Sequence, residues 1–165
     1  MSVNPYSAFL GGQEAIEVIA TTPARLAALT AGLSAEQADA PTAPGKWSVR
    51  QMVAHLADCE IAFGFRLRQA RAGVPLIQPF DQDAWAESYG SYSLTAALDC
   101  FTTLRAWNVA FVKGLSEADK RRVVTHPERG EMTLWVIVET MAGHDLNHLE
   151  KLEEASVMHS SRANY

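Results

Sequence analysis

Residues 133–155, TLWVIVETMAGHDLNHLEKLEEA, have the pattern of one long amphipathic helix with two histidines on its apolar face. At about 3.6 residues per turn, each residue is rotated by roughly 100° around the helix, so His144 and His148 fall on the same side. Their companions on that face are Leu134, Ile137, Val138, Met141, Leu152 and Ala155. Both imidazoles should therefore point into the protein about one turn apart, where two ring nitrogens can reach a common ion.

Three earlier segments also have the start signals or apolar spacing that are typical of long helices. The first spans residues 4–33 and begins with a capping asparagine followed by proline, but Thr22-Pro23 should break or kink it. The second runs from about 48 to 72, with Ser48 as its expected N-cap. The third runs from about 93 to 114 and has apolar residues at helical spacing.

Almost no segment alternates apolar and polar residues with the period of a strand. We therefore predict an all-α fold, an antiparallel four-helix bundle in a single domain over residues 1–165. Long connections follow the second and third helices. The first of these, 73–92, should contain one short helical turn near 83–88, and the other should contain a short extended piece within 121–127. Connections of this length in a small domain are often functional.

The composition is that of an ordinary globular protein, with 48% apolar and 20% charged residues. The net charge of −5 argues against general nucleic-acid binding, which needs a basic surface. No apolar run approaches the ~20 residues that span a bilayer, and no secretory signal opens the sequence. We interpret Cys59 and Cys100 as reduced thiols. We therefore expect a cytoplasmic protein with no nucleic-acid or membrane partner.

A third histidine on a facing helix would complete a metal site, and His55 is the candidate. It lies at the edge of the apolar stripe of the second helix. Three histidines would leave one or two coordination positions open, as in catalytic rather than structural sites. The alternative is that these imidazoles are core residues satisfied by a polar network with water. His126, before a proline, and His159, in a polar tail, are expected at the surface.

The segment HDLNH also resembles the HExxH motif of metalloproteases, with aspartate in place of glutamate. Asp145 is one methylene shorter than the general base that the motif requires. Lys151 occupies the position where the longer form of the motif has glycine, and no suitably placed third histidine follows. The protease interpretation is therefore the weaker one.

Two segments together, PGKWSVRQMVAHLADCE (44–60) and HDLNHLEKL (144–152), resemble the DinB-like (YfiT-like) superfamily of metalloenzymes. PFDQDAW (79–85) and THPERGEMTL (125–134) also look like this family's pattern. The resemblance implies a four-helix bundle in which His55, His144 and His148 hold a divalent ion such as zinc or nickel. It also implies a homodimer, since members are frequently dimeric. Members often have an acidic residue one turn before the first histidine, whereas this chain has Gln51.

Five further residues near the expected site have two interpretations each. Asp58 and Asp145 could accept a hydrogen bond from an imidazole and fix its tautomer, or could be solvated carboxylates. Cys59 could be a metal ligand or small core filler. Trp85 and Tyr89 could form a pocket wall over the metal or anchor the connection. Core packing is expected of Trp47, Phe63, Trp107 and Trp135.

The sequence leaves two classes of function open. A three-histidine site with open positions can activate a bound water or thiolate. Characterised members of the resembled family use thiols such as bacillithiol or mycothiol, which implies a thiol-dependent S-transferase acting on a small molecule in stress or detoxification. A metal-hydroxide hydrolase is the chemical alternative. The second class is a non-catalytic metal-binding bundle that acts in a partner complex.

Overall fold

The computed structural model describes residues 3–162, with side chains described through residue 156. Four long helices dominate it: α2 (Ala15–Thr30), α4 (Val49–Arg71), α6 (Leu94–Lys113) and α8 (Leu134–Arg162). Shorter helices are α1 (Ser7–Leu10), α3 (Ala35–Asp39), α5 (Gln82–Ala86) and α7 (Glu117–Lys120), and a 3₁₀ turn spans Tyr89–Ser91. The predicted all-helical bundle is confirmed, with one small hairpin, β1 (Val123–His126) and β2 (Gly130–Thr133), added to it.

The four long helices are not arranged in simple sequence order. α2 packs mainly against α6 and α8, and α4 packs against the same two helices from the other side. The first and second long helices therefore lie across the bundle from each other. The connection 31–48, which contains α3, is long enough to cross one end of the bundle. As a result α4 and α8, the two helices that carry the candidate ligands, are direct neighbours.

The helix starts follow from capping chemistry. The Ser48 side chain accepts a hydrogen bond from the Gln51 backbone N–H, and the Gln51 side chain accepts one from the Ser48 N–H. This reciprocal capping box confirms the predicted cap and gives Gln51 a structural role. Ser93 caps α6 with a single hydrogen bond, which its side-chain oxygen accepts from the Ala96 N–H.

The break predicted at Thr22-Pro23 is wrong, because α2 continues through Pro23 without interruption. Pro23 has no N–H to donate to the carbonyl of Ile19 one turn earlier. Arg105 of α6 supplies the missing donor, with its Nη1 2.9 Å from the Ile19 oxygen. The chain instead turns before α2 at Gly11 and Gly12, whose φ angles of 56° and 83° favour glycine.

The two long connections fold against each other at one end of the bundle. The extended piece predicted within 121–127 is confirmed as β1, which pairs antiparallel with β2. The connection after α4 joins this hairpin, since the Ile77 N–H donates to the Thr125 oxygen at 3.0 Å. The helical turn expected near 83–88 is α5.

A polar layer lies between two of the three apolar groups of the core. On one side lie residues that include Cys59, Phe63, Leu67, Ile137 and Met141. On the other side lie residues that include Met52, Leu56, Leu149 and Leu152. The buried polar layer between them contains His55, Glu60, Arg105, His144, Asp145 and His148. Such a layer is costly unless its groups are paired, which points to a specific role.

Trp107 was expected to pack inside, but its side chain is 70% exposed, because the buried stripe of α6 runs through Phe101, Arg105 and Asn108 instead. Among residues 3–162, no helix combines the length and apolar character that crossing a bilayer requires.

Candidate metal centre

The three candidate ligands meet in the polar layer between α4 and α8. Nε2 of His55 lies 3.1 Å from Nε2 of His144, and the ring centroid of His148 lies 5.0 Å from that of His55. One ring nitrogen from each imidazole lies within 4.8 Å of the other two. Two come from one face of α8 and one from the facing side of α4, which is the arrangement that the helical spacing predicts.

The three imidazoles are neutral at ordinary pH. Burial lowers the pKa of His55 from 6.5 to about 4 and that of His148 to about 3. Burial also lowers the pKa of His144 well below 6.5, and the neighbouring His148 and His55 lower it further. Neutral imidazoles present the lone pairs that a metal ion needs.

The donor set fits a divalent cation. Nδ1 of His148 is buried and has no hydrogen-bond partner within the described residues. An unsatisfied buried nitrogen of this kind costs about 1–3 kcal/mol. Three buried imidazoles that converge without a carboxylate among them therefore have the chemistry of a site for an ion that prefers nitrogen ligands.

Tyr89 links His55 to Asp58. The Tyr89 hydroxyl lies 3.4 Å from Nδ1 of His55, and the Asp58 carboxylate is close enough to the same tyrosine to affect its pKa. Burial, and after it the Asp58 charge, raises the pKa of Tyr89, so its hydroxyl keeps its proton. The Tyr89 hydroxyl can accept a hydrogen bond from Nδ1 of His55, which keeps the proton on Nδ1 and leaves Nε2 free to bind an ion. Asp58 thus reaches His55 through a tyrosine rather than directly.

Cys59 lies beside His55 without joining the group of converging nitrogens. Its Sγ is 3.5 Å from Nε2 of His55. Burial raises the pKa of this thiol, and the charge of Glu60 raises it further. The side chain is a protonated thiol within the apolar group, which agrees with the core-filler interpretation.

Asp145 takes part in a buried ion cluster with Arg105 and Glu60. Arg105 donates to Asp145 at 2.5 and 3.0 Å and to Glu60 at 2.7 Å, and all three side chains are almost completely buried. Thr22 donates to the same aspartate at 2.8 Å. Burial alone would lower the pKa of Arg105, but Asp145 and Glu60 raise it above its usual value. Asp145 therefore ties α8 to α6 and α2, and the structure gives it no hydrogen bond to an imidazole among the described residues.

Two neighbouring cavities are lined by the histidines. The larger, about 540 Å³, is lined by His55 and His148, with Lys46 and Lys151 near its mouth. The smaller, about 180 Å³, is lined by His144. Tyr6 and Gln82 line both cavities and stand between them.

The N-terminal segment contributes Tyr6 through close packing on α8. The ring centroid of Tyr6 lies 5.2 Å from that of His144. Gly143 makes this approach possible, because a Cβ at that position would lie 2.7 Å from the Cβ of Tyr6. The glycine beside the first histidine of the pair is therefore required for the cavity wall.

The other predicted residues have different positions. Neither pocket-wall candidate is in the described lining of the two cavities: Tyr89 is buried against His55, and the Trp85 ring packs on Phe80 with centroids 4.8 Å apart. The surface position expected for His126 is wrong: it is buried by the hairpin and lines the smaller cavity. The prediction for His159 concerns a side chain outside the described residues.

The sequence analysis did not predict the ion cluster. It also did not place Arg66 and Arg129, which line the smaller cavity. A signal for the cluster was present, because Arg105 and Asn108 follow Phe101 at helical spacing on the buried face of α6. A charged residue at an apolar position indicates a buried partner. No comparable signal marked Tyr6, which reaches the site only through the packing of α1 on α8.

The sequence profile of the DinB superfamily matches residues 19–152, most of the chain. The chain belongs to the DinB superfamily. Two DinB relatives carry names that read "putative metal-dependent hydrolase". The relative from Oceanobacillus iheyensis is 31% identical over 138 residues, covering 82% of this chain and 80% of its own. The one from Geobacillus kaustophilus is 33% identical over 141 residues, covering 82% and 79%.

Two solved structures share the DinB fold. YfiT from Bacillus subtilis, described as a probable metal-dependent hydrolase with an unusual four-helix bundle topology, matches with a TM-score of 0.82 at 25% identity, covering 88% of this chain and 86% of its own. A mycothiol-dependent maleylpyruvate isomerase matches with a TM-score of 0.68 at 14% identity, covering 85% and 60%. The second likeness concerns the fold alone.

Proposed function

We propose that this protein is a divalent-metal-dependent S-transferase that joins a low-molecular-weight thiol to a small electrophilic substrate. His55, His144 and His148 are the proposed ligands, and zinc or nickel is the proposed ion. The observation that carries the proposal is that two cavities divide the three histidines between them, the larger lined by His55 and His148 and the smaller by His144. A reaction between two organic molecules needs two binding spaces, whereas hydrolysis needs one and a water.

The two cavities differ in a way that suits two partners. The larger one has room for a molecule of small-peptide size, and its mouth carries Lys46, Asn147, Lys151 and Glu154. These polar groups match the carboxylates, amides and hydroxyls of low-molecular-weight thiols. The smaller cavity lies between Phe63 and Phe80 and suits a compact substrate. We assign the thiol to the larger cavity and the electrophile to the smaller one.

A divalent cation held by the three histidines would supply Lewis-acid activation of a thiol. The residues of the chain supply the rest. Three neutral imidazoles leave the cation's charge uncompensated, which favours an anionic sulfur there. Tyr6 and Gln82 separate the two binding spaces and direct both partners towards the histidines. In the transfer the sulfur forms a bond to the electrophilic carbon, the leaving group departs with its bonding pair, and the thiol proton passes to solvent.

The names of the curated relatives favour a second candidate, a metal-dependent hydrolase in which water takes the place of the thiol. The larger cavity would then hold the hydrolysed substrate. A non-catalytic bundle that acts in a partner complex would need neither cavity. Homodimer formation, a cytoplasmic location and a role in detoxification stay predictions.

Cobalt-loaded protein separates these candidates. Adding bacillithiol, mycothiol or glutathione should produce a thiolate-to-cobalt charge-transfer band, and His148→Gln should abolish it. With chlorodinitrobenzene as electrophile, the metal-loaded protein should form the thioether and chloride faster than the thiol alone and faster than His148→Gln. Ester or amide cleavage by the metal-loaded protein, without a thiol-dependent band or conjugate, would overturn the transferase proposal and establish the hydrolase.

A further inference from the structure

Two guanidinium groups line the smaller cavity. Arg66 of α4 and Arg129 of the turn between β1 and β2 both line it. Neither forms an ion pair within the part of the chain whose side chains are described. Five other arginines do so there: Arg25, Arg50, Arg71, Arg105 and Arg122. The two cavity arginines are thus available to an outside anion.

Arg66 is held in a fixed orientation. Its Nε and Nη2 donate to the Gln78 carbonyl oxygen at 3.1 and 2.9 Å. Its guanidinium carbon lies 5.8 Å from the centroid of the Phe63 ring and 5.4 Å from that of Phe80. These contacts set the plane of the group, and Nη1 donates to no described residue. A planar donor fixed in this way is suited to bind a carboxylate at little entropic cost.

The charges around the cavity sum to a small positive value. Burial lowers the pKa of Arg66, and the charge of Arg129 lowers it further, so the two cations repel each other across the cavity. Glu128 also lines the cavity and offsets one positive charge. Burial lowers the pKa of His126, which stays neutral at ordinary pH. The lining side chains therefore carry a net charge of about plus one, which favours an anionic ligand such as a carboxylate.

We propose that the smaller cavity is a carboxylate-binding subsite in which Arg66 and Arg129 hold a carboxylate of the substrate beside His144. The substrate class is then a compact organic acid whose carbon skeleton lies against Phe63 and Phe80. That this acid is the electrophile of the transfer rests on the proposed function, whereas the binding of a carboxylate by the two arginines does not.

Titration of the zinc-loaded protein with propanoate, followed by NMR of the arginine side chains, tests the subsite. Propanoate should bind, while propanamide, which has nearly the same shape and no charge, should not. Arg66→Gln and Arg129→Gln should each weaken propanoate binding at least ~10-fold, because each removes a charge-assisted hydrogen bond. Arg25→Gln, which removes an exposed arginine paired with Glu153, is the matched control and should leave binding unchanged.

Three results would overturn the subsite. Unchanged propanoate affinity in the double variant Arg66→Gln/Arg129→Gln would show that the arginines bind no carboxylate. Tighter binding of inorganic phosphate than of propanoate would assign the cavity to phosphate instead. Loss of propanoate binding in His148→Gln would show that the anion binds the metal. Arg129→Gln keeps the test valid if Arg66→Gln fails to fold, since Arg129 makes no side-chain hydrogen bond within the described residues.

Failure of the transferase proposal gives a different pattern. If no thiol conjugate forms but propanoate binding still depends on both arginines and persists in His148→Gln, the subsite stands and the reaction is another one. If the conjugate forms and propanoate affinity does not depend on the two arginines, only the subsite proposal is wrong.

Discussion

The metal-free protein should lose stability steeply as the pH falls below neutrality, and the buried histidines set the size of the loss. In the folded chain burial lowers the pKa of His55 from 6.5 to about 4 and that of His148 to about 3. Below pH 6.5 these two histidines are protonated in the unfolded chain, whereas in the folded chain they stay neutral until the pH approaches their lowered pKa values. The contribution of each histidine is therefore intact above pH 6.5 and is lost as the pH falls towards its folded pKa.

The magnitude follows from these two values. Between pH 8 and pH 5 each of the two histidines should remove about 2 kcal/mol from the free energy of unfolding. His144, whose pKa is also lowered by burial, adds to the loss. A total of about 4 kcal/mol or more is a large share of the stability of a small domain.

Urea unfolding in the presence of a chelator, at pH 8 and at pH 5, measures this loss. The matched variant is His55→Gln, which keeps a polar side chain of similar size but cannot titrate. Its unfolding free energy should fall by about 2 kcal/mol less than that of the wild type over the same interval. An unfolding free energy that is equal at the two pH values, or an equally steep fall in His55→Gln, would refute the assignment of buried neutral imidazoles.

Three substitutions test the surroundings of the histidines. Tyr89→Phe removes the hydroxyl 3.4 Å from His55 and should weaken zinc binding at least ~10-fold without unfolding the chain; an unchanged dissociation constant in a zinc titration would contradict its positioning role. Arg105→Met leaves two buried carboxylates unpaired and should cost about 3–5 kcal/mol in urea unfolding, so that a cost below about 1 kcal/mol would refute the buried cluster. Gly143→Ala pushes a methyl group into Tyr6 and should cost about 1–3 kcal/mol, which calorimetry can measure; a stability equal to the wild type would show that Tyr6 does not pack there.

The long helices and the three histidines were predictable because both depend on periodicity within a single helix. Caps at Ser48 and Ser93 fix where α4 and α6 begin, and the four-residue spacing of His144 and His148 fixes their common face. Helix caps and residue spacing are local properties, so they can be read from the sequence pattern alone.

The errors come from interactions between distant parts of the chain. Pro23 should break a helix by itself, and only Arg105, which is 86 positions from the carbonyl that it satisfies, lets α2 continue. His126 looks like a surface residue before proline, but the hairpin that carries it packs against the end of the bundle. Tyr6 and Arg129 reach the cavities through packing that no local pattern encodes.

The central claim is that His55, His144 and His148 bind one divalent ion, and calorimetric titration of tag-free, chelator-treated protein with zinc tests it most directly. We expect one ion per chain, loss of binding in His148→Gln, and unchanged stoichiometry in His126→Gln, the matched control with a buried histidine outside the group. The absence of zinc and nickel binding in the wild type, or equal loss in the two variants, would contradict the account.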